Sequence, residues 1–201
     1  MTKERLKSPR ARLFVALDLP EEVRSGIEAW GSRELRDEAL RPVQREALHV
    51  TLAFLGYLPE KEIPRLAGIV ETSEADGAPR VKLQDPIAKP SRNRPRIFAL
   101  PLDSLGTTAL QAELQERLIA ERLYEPEKRV FWPHVTVARV RSEGRGSKRL
   151  ARVTRQPGAL PQELLQPFDA VRMTLYRSEL QPQGAIYVPL AQVELSKRGR
   201  Q

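Results

Sequence analysis

The chain has two histidines, and both stand in the same four-residue word. Leu48-His49-Val50-Thr51-Leu52 is answered by Pro133-His134-Val135-Thr136-Val137, reading histidine, apolar, threonine, apolar each time. Each copy lies in a short run rich in Val, Leu, Thr and aromatics, bounded by turn-forming or charged residues, which is the pattern of a β-strand. Side chains alternate along a strand, so His49 and Thr51 share one face while Val50 and Leu52 take the other. In the second copy the same parity groups Trp132, His134 and Thr136. Each copy therefore needs a sheet with one face in a core and the other presenting an imidazole beside a hydroxyl. One strand histidine is ordinarily structural; both histidines of a chain in one pattern favour a functional pair.

The elements around the two words predict how they are held. Residues 1–10 read as a basic N-terminal tail and 196–201 as a C-terminal tail, leaving 11–195 as a single domain. Residues 12–19 form a largely apolar run that ends at Pro20. Pro20-Glu21-Glu22 then opens a helix with Val23, Ile27 and Trp30 on one stripe. The first motif strand spans 48–57. A helix over 60–70 follows, with Pro64 tolerated in its first turn. Strands are expected at 81–83 and 97–100, joined by the loop Lys89-Pro90-Ser91-Arg92-Asn93-Arg94-Pro95-Arg96, a candidate phosphate contact. A strong helix covers 105–123, with Leu110, Leu114 and Leu118 at helical spacing, before the second motif strand at 130–140. A weak helix near 161–165 and strands at 170–179 and 185–195 complete the order. The expected class is α+β and bilobal: two pseudo-symmetric sheet-plus-helix lobes facing a central cleft, with one motif on each.

The absence of cysteine excludes disulfides, thiolate chemistry and Cys-based zinc sites. No apolar run is long enough to span a bilayer as a helix, and the charged start lacks the apolar stretch of a secretory signal, so a cytoplasmic protein with no membrane partner is expected. The net charge of +8, supplied mostly by arginine, attracts anions and suits phosphate in particular.

Two imidazoles that titrate near neutrality can act as one acid and one base in a single turnover. Attack on a phosphodiester needs that pair: one group deprotonates the nucleophile and the other protonates the departing oxygen. Thr51 and Thr136 are placed to donate hydrogen bonds to the non-bridging oxygens, where charge builds. Two histidines without a carboxylate cluster make a poor metal site, so no metal or other cofactor is expected.

The paired His-x-Thr words resemble those of the two-histidine (2H) phosphoesterase superfamily. Arg12-Leu13-Phe14-Val15-Ala16-Leu17-Asp18-Leu19-Pro20, Phe54-Leu55-Gly56, Ala138-Arg139 and Leu175-Tyr176-Arg177-Ser178 are similar to its RNA 2',3'-cyclic phosphodiesterase branch, whose members are also called 2'-5' RNA ligases. The resemblance covers about residues 12–195. It implies metal-independent hydrolysis of RNA 2',3'-cyclic phosphate ends to 2'-phosphomonoesters, by a monomer acting on RNA ends or nucleotides. It makes His49 the proton donor, His134 the proton acceptor, and Thr51 and Thr136 the phosphate ligands, with Arg139 and Arg177 as further substrate contacts; Trp132, on the strand face of His134, is placed either to stack on a substrate base or to pack under the cleft. Arg139 falls on the opposite face from His134 by parity, so a direct phosphate contact requires a bulge or the end of the strand. The chain departs from the family's usual pattern at Pro42 and Ala47, where a tryptophan and an Asn-x-His approach are common, and at Trp132, where a polar residue is. Three other readings stay open on sequence grounds: a 2'-5' RNA ligase using the same residues in reverse, a cyclic phosphodiesterase of a small nucleotide, and a non-catalytic RNA- or nucleotide-binding module.

Overall fold

The computed structural model describes residues 9–73, 77–103, 105–144, 146–181 and 184–195. The expected tails lie outside these ranges except for Pro9 and Arg10, and Arg10 already begins the first strand. In chain order the elements are β1 (Arg10–Asp18), α1 (Glu21–Glu34), β2 (Leu40–Pro42), β3 (His49–Pro59), α2 (Ile63–Glu71), β4 (Arg80–Leu83), β5 (Ile87–Ser91), β6 (Arg94–Asp103), α3 (Leu105–Ala120), β7 (His134–Val140), β8 (Phe168–Asp169), β9 (Arg172–Gln181) and β10 (Gly184–Glu194).

The strands form one curled antiparallel sheet in the order β10-β9-β1-β3-β7-β6-β4-β8, with β2 added to β7 and β5 to β6. The two expected lobes are its two halves. In the first, β1-α1-β3 runs strand, helix, motif strand, and β3 pairs back onto β1. In the second, β6-α3-β7 repeats the sequence of events, and β7 pairs back onto β6. The halves meet at a single register pair, Val50 opposite Val135. Beyond that point β3 and β7 part, and β2 takes over the free edge of β7 through Leu40, Arg41 and Pro42. The cleft opens where the motif strands diverge.

Burial explains why the words lie where they do. Val50 and Val135, between His and Thr, are almost fully buried in a core that also holds Leu13, Val15, Leu17, Leu100 and Leu175. The helices cover that core. Ile27 and Trp30 of α1 are buried, and the Trp30 indole N–H donates to the Ala159 carbonyl at 3.0 Å. Leu66, Ile69 and Val70 of α2 and Leu110, Leu114 and Leu118 of α3 are also buried, the stripes expected from their spacing.

The structure corrects several local expectations. The loop at 89–96 is a β-hairpin, β5 with β6, in which Ser91 pairs with Arg94. The second motif strand begins at His134 instead of residue 130, because the preceding Pro133 has no N–H for the ladder. Residues 161–165 make turns, with Leu164 N–H bonded to Pro161 O and Leu165 N–H to Gln162 O, and no helix. The helix expected to reach residue 123 ends at Ala120: Arg122 adopts φ 58°, and the Leu123 N–H returns to the Leu118 carbonyl, closing a Schellman turn. Among the described residues no helix is long and apolar enough to cross a membrane.

Candidate active site

Both histidines are oriented by their own strand entry. His49 Nδ1–H donates to the Ala47 carbonyl at 2.8 Å, and His134 Nδ1–H donates to the Trp132 carbonyl at 2.8 Å. Tying Nδ1 to a carbonyl two residues back fixes one tautomer and leaves Nε2 as the free basic nitrogen. The Thr51 hydroxyl lies 3.1 Å from His49 Nε2. His49, Thr51, His134 and Thr136 together line a cavity of about 450 Å³. Ala47, where the family's approach motif usually differs, serves through its backbone, which any residue supplies.

The motif strands match beyond the repeated word. On β3, Val15 faces Ala53 and Ala16 faces Thr51, which leaves Leu52 as a bulge. On β7, Phe98 faces Ala138 and Ala99 faces Thr136, which leaves Val137 as a bulge. In both copies the fourth residue of the word is the extra one. Two consecutive buried residues follow each Thr, and the exposed parity resumes at Phe54 and Arg139. A bulge re-aims the residues beyond it, so Arg139 enters the cleft despite its unfavourable parity count. On β3 a second register shift falls at Leu55. It adjoins Gly56, whose φ of 70° is the left-handed conformation that favours glycine.

The surroundings of the two imidazoles differ. His49 lies against Phe14 at 4.9 Å, with Tyr187 edge-on at 5.2 Å. Burial in this aromatic box pushes its pKa down to about 4; the Ala47 bond and the carboxylate of Asp18 oppose the shift, and Arg139 and His134 add to it. His134 is also depressed, by burial first and then by Arg139 and Lys89, against the bond to Trp132 O. Asp18 is the buried acid of this region. It faces His49 in the β1–β3 register and accepts hydrogen bonds from Arg172 Nε (2.6 Å), the Thr174 hydroxyl (2.9 Å) and the Tyr176 hydroxyl (2.8 Å).

Of the other sequence candidates, Trp132 stacks on His134, with ring centroids 4.0 Å apart and planes 16° from parallel. Lys89 Nζ lies 4.7 Å from the Trp132 ring centroid, so the expected phosphate-contacting loop instead sends one cation onto the plate that braces the imidazole. Arg177 is not brought to the cleft. It stands opposite the fully buried Leu13, on the other face of the sheet, and pairs with Glu60 at 3.1 Å. Sequence reasoning passed over Asp18, Arg12, Arg41 and Tyr187. Only Asp18 carried a signal, as an acid closing an otherwise apolar strand. Among the described residues no group of three or more His, Cys, Asp or Glu side chains is placed to hold a metal ion.

Residues 19–181 match the family model described as the 2'-5' RNA ligase superfamily. The chain belongs to that superfamily. It is 32% identical over 197 residues to an RNA 2',3'-cyclic phosphodiesterase of Thermus thermophilus, covering 94% of this chain and 93% of that one. A second RNA 2',3'-cyclic phosphodiesterase, from Methanocaldococcus jannaschii, is 26% identical and covers 88% of this chain and 96% of its own length. Among solved superfamily structures, Escherichia coli LigT complexed with 3'-AMP superposes with a TM-score of 0.70 at 26% identity, over 94% of this chain and all of the other. The paired words and their matched bulges therefore sit within a fold that this superfamily shares.

Proposed function

We propose that the protein hydrolyses RNA 2',3'-cyclic phosphate ends to 2'-phosphomonoesters by acid/base catalysis between His49 and His134. The observation that carries this reading is the pair of imidazoles, each pinned at Nδ1, with a threonine hydroxyl two residues on and a shared cavity between them. In the step, His134 Nε2 takes a proton from water as its oxygen bonds to phosphorus. The bond from phosphorus to the ribose 3' oxygen breaks, and that oxygen leaves with the proton from His49 Nε2. Thr51 and Thr136 donate to the non-bridging oxygens, and the 2' ester bond survives. Both proton transfers are accounted for without a metal ion.

The charges around the two rings differ in one respect that suits these roles: Arg139 disfavours the protonated form of both, but His49 alone has a carboxylate, Asp18, that favours its protonated form, while His134 has Lys89 as a further opposing cation. We place the reaction in the cytoplasm, in a monomer whose single domain spans 11–195, in keeping with a cysteine-free sequence. The superfamily description also supports 2'-5' ligation, in which a 5'-hydroxyl gives up its proton and bonds to phosphorus in place of water, the 3' oxygen again leaves with a proton, and a 2'-5' phosphodiester forms.

The test is turnover of an RNA oligonucleotide ending in a 2',3'-cyclic phosphate, in EDTA, with the phosphomonoester assigned by NMR. Metal-independent formation of a 2'-phosphate is expected; binding without turnover would overturn the proposal. Excess 5'-hydroxyl RNA in the same assay exposes any ligation. A second expectation concerns pH. The bell-shaped profile of kcat/KM reports the free enzyme, and burial lowers both imidazoles, so its maximum should lie below pH 6.5. The kcat profile should peak at higher pH, because bound phosphate favours both imidazolium forms.

A further inference from the structure

The two repeated words are entered through the same backbone device and different side chains. Ala47 and Trp132 each stand two residues before a histidine, and each accepts the imidazole Nδ1–H on its carbonyl at 2.8 Å. A methyl group can add little to that. The indole of Trp132 instead lies flat on the His134 imidazole, with ring centroids 4.0 Å apart and planes 16° from parallel, and Lys89 Nζ stands over the indole, 4.7 Å from its centroid. The lysine arrives from another strand. Lys89 on β5 pairs with Ile97 on β6, and Ile97 pairs with Arg139 on β7, so the register gives Lys89 the face that Arg139 takes.

This stack lies behind the reacting imidazole. His134 lines the cavity, whereas neither Trp132 nor Lys89 is among the lining residues. With Nδ1 tied and one ring face covered, the imidazole has its rotation and its plane both set, and Nε2 is left to the cleft. The lysine acts on charge. An indole face attracts cations, so Trp132 alone would favour an imidazolium, the wrong form for a group that must accept a proton. Lys89 takes up that attraction and repels a second cation beside it. The charged and titratable groups that act on the His134 ring are Arg139 on its own strand, Lys89 from β5 and His49 from β3, and burial works in the same direction. His49 has aromatic neighbours too, Phe14 and Tyr187, but among the described residues no cation stands over either ring, and the carboxylate of Asp18 is close by.

We propose that Trp132 and Lys89 are positioning residues that assign the base role to His134: the indole fixes the imidazole with Nε2 toward the cleft, and the ammonium over the indole disfavours a second positive charge on the ring. The inference rests on the hydrolase reading above and deepens it, because it names what distinguishes two histidines held in identical words. Both residues act through His134, and the work of Trp132 is support of the imidazole in place of stacking on a substrate base.

The experiment joins kinetics on an RNA 2',3'-cyclic phosphate end to an NMR titration of the two histidines, their signals assigned with His49→Ala. Trp132→Ala should lower kcat by about 10- to 100-fold, the cost of a small misplacement at the reacting centre, with KM changed far less, and Trp132→Phe should recover most of the loss. Lys89→Met keeps the stem and removes the charge; it should move the His134 midpoint to higher pH and leave His49 nearly in place, and Lys89→Arg should restore the wild-type midpoint. Lys89 is exposed, so its variants keep the test open should Trp132→Ala fail to fold. A loss confined to KM in Trp132→Ala would put the indole against the substrate and overturn the inference. A His134 midpoint unchanged in Lys89→Met, the result expected of a merely structural lysine, would overturn it as well. Either result with normal wild-type turnover leaves the hydrolase reading in place. If wild type hydrolyses nothing, the hydrolase reading falls and the base role with it.

Discussion

His49→Ala and His134→Ala should each lower kcat on a cyclic-phosphate RNA end by about 10²- to 10⁴-fold, the range that a positioned acid or base contributes. The two losses should not multiply. The groups act on one proton inventory in one step, and residues that work as a unit are grossly non-additive. The double variant should therefore be only slightly slower than the worse single one. Thermal unfolding serves as the control. Each histidine is only partly buried and has one backbone bond at Nδ1, so alanine should leave the sheet intact. A single variant with near wild-type kcat would remove that histidine from the chemistry. A double variant whose loss equals the product of the singles would mean that the two act in separate steps.

The largest effect on stability is expected at Asp18. Its side chain is only 4% exposed, against 31% for its ion-pair partner Arg172. Asp18→Ala leaves a guanidinium, the Thr174 hydroxyl and the Tyr176 hydroxyl without their shared acceptor. Arg172 recovers some hydration because it reaches solvent, but Thr174 is fully buried. The loss should be about 3 kcal/mol, towards the lower end for breaking a buried pair. For a chain of this size it corresponds to a fall in Tm of about 6–12 °C. Chemical denaturation measures it directly, and a change below about 1 kcal/mol would show that water replaces the carboxylate. Asp18→Asn tests the functional side. Losing the negative charge removes a contribution that raises the His49 pKa, so the His49 limb of the kcat/KM profile should move further to acid.

The parts of this architecture that were legible in the sequence are those set by local pattern. The word repeated at His49 and His134 placed both imidazoles and both threonines, because period-two alternation is a strong constraint when one face must be buried. Leu110, Leu114 and Leu118 placed α3 in the same way. What stayed hidden depends on pairing partners distant in the chain. Arg139 enters the cleft only because Val137 is extra relative to Phe98 and Ala99, a fact about β6. Arg41 belongs to a three-residue strand that exists because β3 and β7 diverge. Arg177 sits in a stretch that resembles the superfamily, yet the β9 register turns it toward Glu60, and no local pattern reveals that register. Trp132 carried a correct address, beside His134, with a different neighbour: its ring meets the imidazole itself.

The matched bulges also determine which kinds of change the site tolerates. Each motif strand runs half a period out of phase after its fourth motif residue, so the chemistry depends on strand length as well as on residue identity. Trimming the extra residue at Leu52 or Val137 would remove the bulge and restore regular alternation, with Phe54 or Arg139 still on the cleft side. What the cleft does not tolerate is the full-length strand pairing without its bulge, since every side chain beyond Leu52 or Val137 would then change faces and Phe54 or the Arg139 guanidinium would turn toward the core. The bulge and the odd five-residue spacing from each histidine are therefore one constraint, and neither can be lost without the other.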